Sequence, residues 1–378
     1  MPVTLTEEQQ ALASAIGEFA RREVPDKARR DELTTEGPHS MEIYRKMAAQ
    51  GWLGIALPEV YGGSGGSMTD LLVFLEETTY HQIPVGGFGT TIITAAAIER
   101  NGSEEQKRRL LGGAVEGDML AISMSEPGAG SDVGGLTCKA EKTEDGWVVN
   151  GQKTWCSNAH ISSHILLVAR TSTEGGKHEG LTMFVVPTDA DGLEIHGIET
   201  MGGREVNDLY FTDCHLPADA VVGAEGQGWR QLMAGLNLER MILAGLMLGL
   251  ARRAFDDTVA YVKEREQFGR PVGTFQALRH RIADNATELA ATSLLVHDTA
   301  HTIDANPGAL YPREASMAKL KATELAKHLS LEGMQMLGGY GYATEYGMEG
   351  LLRQSVVSTV YGGTSEIQRD IIGKTYGL

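Results

Sequence analysis

Cysteine is scarce, with three in 378 residues. Cys138, Cys156 and Cys214 are too far apart to make a CxxC pair. A zinc site or a disulfide framework is therefore not expected, and a reducing compartment suits the chain. Positive charge is also short: Lys and Arg number 33 against 50 for Asp and Glu, a net charge of −17. That balance argues against nucleic acid as the main partner, because phosphate binding needs a basic face, and against adsorption to an anionic membrane. Long apolar runs are missing. The longest, Met241 to Ala251, falls well short of the ~20 residues a membrane span needs. The N-terminus has acids where a leader would carry bases, so the expectation is a cytoplasmic protein with no membrane segment. Familiar nucleotide motifs are absent too. Gly128-Ala129-Gly130 starts a GxGxxG, but Val133 holds its last place; Gly373-Lys374-Thr375 ends like a P-loop, but Gln368 stands where its first glycine belongs.

What is present falls into three zones. Residues 1–119 read as helical: Thr6 with Gln9, and Ser103 with Gln106, have capping-box spacing, and Leu12, Ile16 and Phe19 recur at helical intervals. A Gly-rich break at Tyr61 to Gly66 separates helices, one of them predicted over Asp70 to Tyr80. Residues 120–228 carry short β-forming runs, at Trp147 to Val149, Ile165 to Val168, Leu181 to Val186 and Leu209 to Phe211, which suggest a small antiparallel sheet or barrel. Residues 229–378 return to long helical periodicity, as in a four-helix bundle. The order is helical domain, β-domain, helical bundle: an α+β multidomain chain without the βαβ alternation of a nucleotide-binding sheet.

Five runs stand out. Ser125 to Asp132 (SEPGAGSD) offers free backbone N–H groups and small hydroxyls for a phosphate or ring edge, or is a surface loop. Trp155 to Asn158 could cover a flat ring and bond its edge, or bury a core Trp. Arg265 to Gly269 with Phe275-Gln276 lies at a helix end, where Arg265 could grip pyrophosphate and Phe268 could pack on adenine, or where a solvated Arg simply closes the helix. Gln335 to Tyr342 and Tyr361 to Arg369 are Gly-rich turns.

Together and in this order, the five runs closely resemble the acyl-CoA dehydrogenase family. The resemblance spans essentially the whole chain, including LPEVYGG at Leu57 to Gly63 and the stretch from Met201 to Trp229. It implies FAD as cofactor, a homotetramer built as a dimer of dimers, and α,β-dehydrogenation of an acyl-CoA with electrons passed to an electron-transfer flavoprotein. It places flavin contacts on Ile122, Met124, Ser125, Gly130, Ser131, Trp155 and Ser157, with Thr364 and Glu366 near the cofactor. Arg265, Phe268, Gln276, Gln335, Gly338 and Gly339 would complete the FAD site, partly from a neighbouring subunit. Substrate contacts would fall on Ser131, Asn237, Arg240, Tyr361 and Gly363.

One position departs from the pattern. Much of the family has its catalytic Glu directly after the Tyr of the fifth run, and here that residue is Gly362. A subset that includes isovaleryl-CoA dehydrogenases places the base on the first bundle helix, in a setting that matches Asn237-Leu238-Glu239-Arg240. Glu239 lies among Leu236, Leu238, Met241, Ile242 and Leu243, where a carboxylate is costly unless used or paired, although the pattern alone also fits a Glu on the polar edge of an amphipathic helix. The resemblance then implies that Glu239 removes the α-proton. The Gly362 N–H and a flavin ribityl hydroxyl would hold the thioester carbonyl, as in an oxyanion hole, while the β-hydrogen leaves as hydride to the flavin. The missing side chain at Gly362 suggests room for branched or bulky acyl groups. Competing expectations are a flavin oxidase or monooxygenase on the same fold, a dehydrogenase of acyl-carrier-protein thioesters, and a non-catalytic subunit of a hetero-oligomer.

Overall fold

The computed structural model describes residues 4–233 and 235–378; residues 1–3, which open the acidic N-terminal run, and residue 234 lie outside the described part. The chain begins with helices α1 (Glu7–Glu23), α2 (Lys27–Leu33), α3 (Met41–Ala48), α4 (Met68–Tyr80), α5 (Gly87–Asn101) and α6 (Glu104–Glu116). Strands β1 (Leu120–Ser123), β2 (Lys139–Lys142), β3 (Gly146–Ser157), β4 (His164–Arg170), β5 (Leu181–Pro187), β6 (Leu193–Thr200), β7 (Gly203–Pro217) and β8 (Val221–Val222) follow. Helices α7 (Gly228–Met233) and α8 (Leu236–Glu264) come next, then a ribbon of β9 (Glu266–Gln267) and β10 (Arg270–Pro271). The chain closes with α9 (Gln276–Ala305), α10 (Pro312–Leu337), α11 (Gly339–Tyr342), α12 (Met348–Ser358) and α13 (Ser365–Lys374). The helix, sheet, helix order read from the sequence is the observed one. Both expected capping boxes form, and a third, Ser67 with Asp70, starts α4 two residues before the predicted start.

Packing divides the chain into two compact units, one of Met1–Glu32, Ser67–Ile83 and Asn237–Leu378, the other of Leu33–Gly66 and Pro84–Leu236. The first is helical. Its core is built from Leu72 of α4 and the inner faces of α8, α9, α10 and α12. Gly249 lets α8 approach α4 closely: a Cβ there would stand 2.2 Å from the Glu76 carbonyl oxygen. The Glu76 carboxylate accepts from His297 of α9 and Arg252 of α8, so a buried charge ties three helices together. Asp304 closes the N-terminus of α4, accepting from the backbone N–H groups of Met68 and Thr69 and from the Thr69 hydroxyl. By length and composition alone, one segment, Gly228–Glu264, is apolar enough to cross a membrane. The buried residues of α8 within it, from Arg240 through Val262, account for that apolarity as a core helix of the bundle.

The second unit centres on a sheet of order β6-β7-β3-β2-β4-β5-β8, with β1 beside β4. The expected antiparallel sheet is instead mixed, because β4 runs parallel to both β1 and β2. The two reversals through β3 return the chain to the direction of β1 and β2, so β4 can only lie alongside them in parallel. Trp147, Val149, Leu167, Phe184, Leu209 and Phe211 fill the core of this unit. The three cysteines are buried there as free thiols, with pKa values that burial pushes up to about 11 or 12.

Candidate active site

In the helical unit, Glu239 lies in the first turn of α8 and is half-buried. Burial pushes its carboxyl above the ordinary carboxylate value, against the opposing pull of Arg240 and Lys319. Arg240, itself buried, donates to Asn237 Oδ1 at 3.1 Å. Facing Glu239 is the turn after α12, where Gly362 and Gly363 both take left-handed backbone angles, φ +60° and +78°. A Cβ on Gly362 would stand 3.4 Å from Glu239 Oε1 and 2.2 Å from Leu243 Cδ1. The sequence suggests open space beside Gly362; instead Leu243, one helical turn after Glu239, fills it. The Gly362 N–H has no hydrogen-bond partner among the described residues. The carbonyls of this turn are held firmly. Gln368 Nε2 donates to the Gly362 and Gly363 oxygens at 3.0 and 3.1 Å, and Lys319 Nζ donates to the Ser358 and Gly363 oxygens at 3.0 and 2.9 Å. Thr364 then caps α13, with Glu366 in its first turn, and Tyr361 precedes the two glycines with its ring partly exposed.

In the sheet unit, the first two distinctive runs lie side by side. Thr154 N–H donates to the Ser125 carbonyl at 2.9 Å, and Cys156 Sγ lies 3.4 Å from the Ile122 carbonyl oxygen. Glu126 and Ala129 exchange backbone hydrogen bonds, closing a tight turn that presents Gly130 and Ser131. Beneath the turn, the buried Glu126 carboxylate accepts from Thr137 N–H and hydroxyl, Cys138 N–H and Lys153 Nζ, at 2.7–2.8 Å. Lys153, fully buried, also donates to the Met124 carbonyl at 2.9 Å. Burial alone would raise the Glu126 carboxyl; Lys153 and the Thr137 hydrogen bonds prevail and hold it below its ordinary value. Pairing between β3 and β7 breaks register between Lys153 and Cys156, at Trp155. Trp155 takes φ +60°, and its indole is 59% exposed while Ser157 ends the strand. A β-bulge re-aims a side chain in this way.

The remaining candidates cluster elsewhere in the helical unit. Arg265 follows α8 with its guanidinium 5.3 Å from the centre of the Tyr340 ring. Phe268, at the tip of the β9–β10 ribbon, is 92% exposed at φ +54°. Gln276 begins α9 and Gln335 lies in the last turn of α10, both exposed, with Gly338 and Gly339 leading into α11. FAD fits the features within each unit: exposed aromatic faces at Trp155 and Phe268 suit planar rings, and positions 128, 130, 338 and 339 have open space where side chains would stand.

Three contributors escaped the sequence reading. Lys153 occupies an inward position of β3, and a charge at such a position is itself the signal that it pairs with something buried. Lys319 interrupts the stripe of Ala315, Ala318, Ala322 and Ala326 on the inner face of α10. Leu243 shows in the sequence only as an apolar neighbour of Glu239.

The family's N-terminal, middle and C-terminal domain profiles, all described as acyl-CoA dehydrogenase, match residues 6–118, 121–214 and 226–377. A mitochondrial 2-methylacyl-CoA dehydrogenase of Solanum tuberosum is 33% identical over 98% of this chain and 90% of its own length. Mitochondrial isovaleryl-CoA dehydrogenase of Arabidopsis thaliana is 33% identical over 97% and 90%. The crystal structure of acyl-CoA dehydrogenase from Geobacillus kaustophilus superposes with a TM-score of 0.94 at 32% identity, covering 100% of both chains. The chain belongs to the acyl-CoA dehydrogenase family of FAD-dependent oxidoreductases, and has its three-domain fold.

Proposed function

We propose that this protein oxidises the Cα–Cβ bond of an acyl-CoA thioester to the trans-2-enoyl-CoA, with Glu239 as the base. One observation carries the assignment: the Glu239 carboxylate faces the beginning of residue 362, where much of the family has its catalytic Glu, and here residue 362 is Gly. Bound FAD supplies the hydride acceptor. The chain's own residues do the rest. The free Gly362 N–H donates to the thioester carbonyl and stabilises the negative charge that develops there as the α-proton leaves. Glu239 Oε1 takes that proton. Its raised pKa makes it a stronger base than an exposed carboxylate, and an apolar acyl chain beside Leu243 excludes water from the transfer.

Ile122, Met124, Ser125, Gly130, Ser131, Trp155 and Ser157 are proposed to hold the flavin, with Thr364 and Glu366. Arg265, Phe268, Gln276, Gln335, Gly338 and Gly339 are proposed for the rest of FAD, partly across a subunit boundary of a homotetramer arranged as a dimer of dimers. Ser131, Asn237, Arg240, Tyr361 and Gly363 are proposed for the substrate. The division into domains at 1–119, 120–228 and 229–378, a cytoplasmic location, an electron-transfer flavoprotein as acceptor, and a place in fatty-acid or branched-chain amino-acid catabolism belong to the same reading. The likeness to 2-methylacyl- and isovaleryl-CoA dehydrogenases supports short branched substrates over long straight ones. Anaerobic titration of the purified yellow protein with a panel of acyl-CoAs tests this. Isovaleryl-CoA should bleach the flavin faster than octanoyl-CoA, and a flavin that no acyl-CoA bleaches would overturn the reading.

A further inference from the structure

We propose that Lys319 is a positioning residue that sets the Gly362 N–H against Glu239 by fixing the carbonyls on either side of the turn that carries it. The inference rests on the roles proposed for Glu239 and Gly362.

Lys319 is fully buried on the inner face of α10, among alanines that are themselves fully buried. An ammonium group is strongly hydrated, so a buried one persists only where polar groups replace the water. Here the replacements are two backbone carbonyls, Ser358 at 3.0 Å and Gly363 at 2.9 Å. Closing the end of α12 would need only the first. The second lies beyond Thr359 to Gly362, so one ammonium group bridges the two ends of the segment that presents the Gly362 N–H. The Gly363 carbonyl is shared with Gln368, which also holds the Gly362 carbonyl. Two consecutive left-handed glycines would otherwise be the most pliable part of the site.

The same ammonium acts on the base through space. Glu239 meets positive charge from Arg240 on its own helix and from Lys319 on α10. Lys319 in turn meets Glu239 and Arg240 of α8, Glu324 of its own helix and Glu366 of α13. Burial lowers the Lys319 pKa to about 8, with Glu239 opposing that shift. The lysine therefore carries its charge at neutral pH and holds the Glu239 carboxyl below where burial alone would put it.

The test follows α-hydrogen exchange of an acyl-CoA in D2O by NMR on the FAD-loaded protein, with flavin content and thermal unfolding recorded for each variant. Lys319→Met should keep its flavin, lose about 10- to 100-fold in exchange rate with KM changed less than about three-fold, and shift the acid limb of the pH profile upwards. Gln368→Met, which removes donors to the turn but no charge, should slow exchange without moving the limb. A folded Lys319→Met protein with near-parental exchange, or with an unmoved limb, overturns the proposal. If Lys319→Met does not fold, a folded Gln368→Met protein at the parental rate overturns it. Glu239→Gln separates the two readings. If the parent exchanges, Glu239→Gln does not and Lys319→Met does, only the lysine's role is lost. If no acyl-CoA exchanges on the parent, the proposed function falls and this inference with it.

Discussion

Oε1 of Glu239 lies 3.4 Å from the point where a side chain on Gly362 would begin. Helix α8 and the turn after α12, far apart in sequence, thus bring a carboxylate and a missing side chain to one place. If both positions serve the same substrate carbon, the base should be movable. Leu243 Cδ1 blocks the direct exchange, at 2.2 Å from the new Cβ, and any side chain at φ +60° costs roughly 1–2 kcal/mol of backbone strain. Glu239→Gly with Gly362→Glu should therefore remain close to Glu239→Gly alone. Adding Leu243→Ala should raise flavin reduction at least about ten-fold above that level and shift preference towards straight chains. Stopped-flow reduction rates with straight and branched acyl-CoAs measure both effects. A triple variant no better than Glu239→Gly would show that residue 362 does not face the reacting carbon.

Lys153 and Glu126 form a buried pair whose members are 0% and 5% exposed. Removing one partner strands the other. Lys153→Met should cost about 3–5 kcal/mol in unfolding free energy, and the loosened Ser125 to Ser131 turn should release FAD during gel filtration. Lys153→Met with Glu126→Gln should regain part of that stability, because no buried charge is left unpaired. Denaturant unfolding and the flavin-to-protein absorbance ratio decide it; a double variant less stable than Lys153→Met would contradict the pairing argument.

Arg265 projects from the end of α8 over the Tyr340 ring, beside the exposed Phe268 ribbon. Arg265→Ala should weaken FAD retention and tetramer formation together, since the same side chain is proposed to serve a cofactor shared between subunits. Sedimentation velocity with parallel flavin quantitation tests the coupling. Loss of FAD from an intact tetramer would place Arg265 away from the subunit boundary.

The order of helices and strands was legible because it depends on local signals: capping boxes at Thr6 and Ser103, apolar periodicity, and turn residues between short β-forming runs. The parallel pairing of β4 with β1 and β2 was not, since strand direction follows from the path of the whole chain rather than from any one segment. Glu239 stood out through the family resemblance together with Gly362; its pattern alone fits a Glu on the polar edge of an amphipathic helix equally well. That Leu243 fills the space beside Gly362 depends on how α8 meets the turn after α12, residues more than a hundred positions apart. Lys153 and Lys319 went unread for a related reason. Each looks like a surface lysine until the burial of its face is known, and their partners are mostly backbone carbonyls, which leave no trace in sequence.

Glu239 as the base is the central claim, and Glu239→Gln tests it most directly. The amide keeps the size of the side chain and its hydrogen-bonding capacity but cannot accept the proton. Mixed anaerobically with the best acyl-CoA of the panel, the FAD-loaded variant should bind substrate with an affinity close to the parent's and reduce its flavin about 10²- to 10⁴-fold more slowly. Reduction at the parental rate would contradict the account.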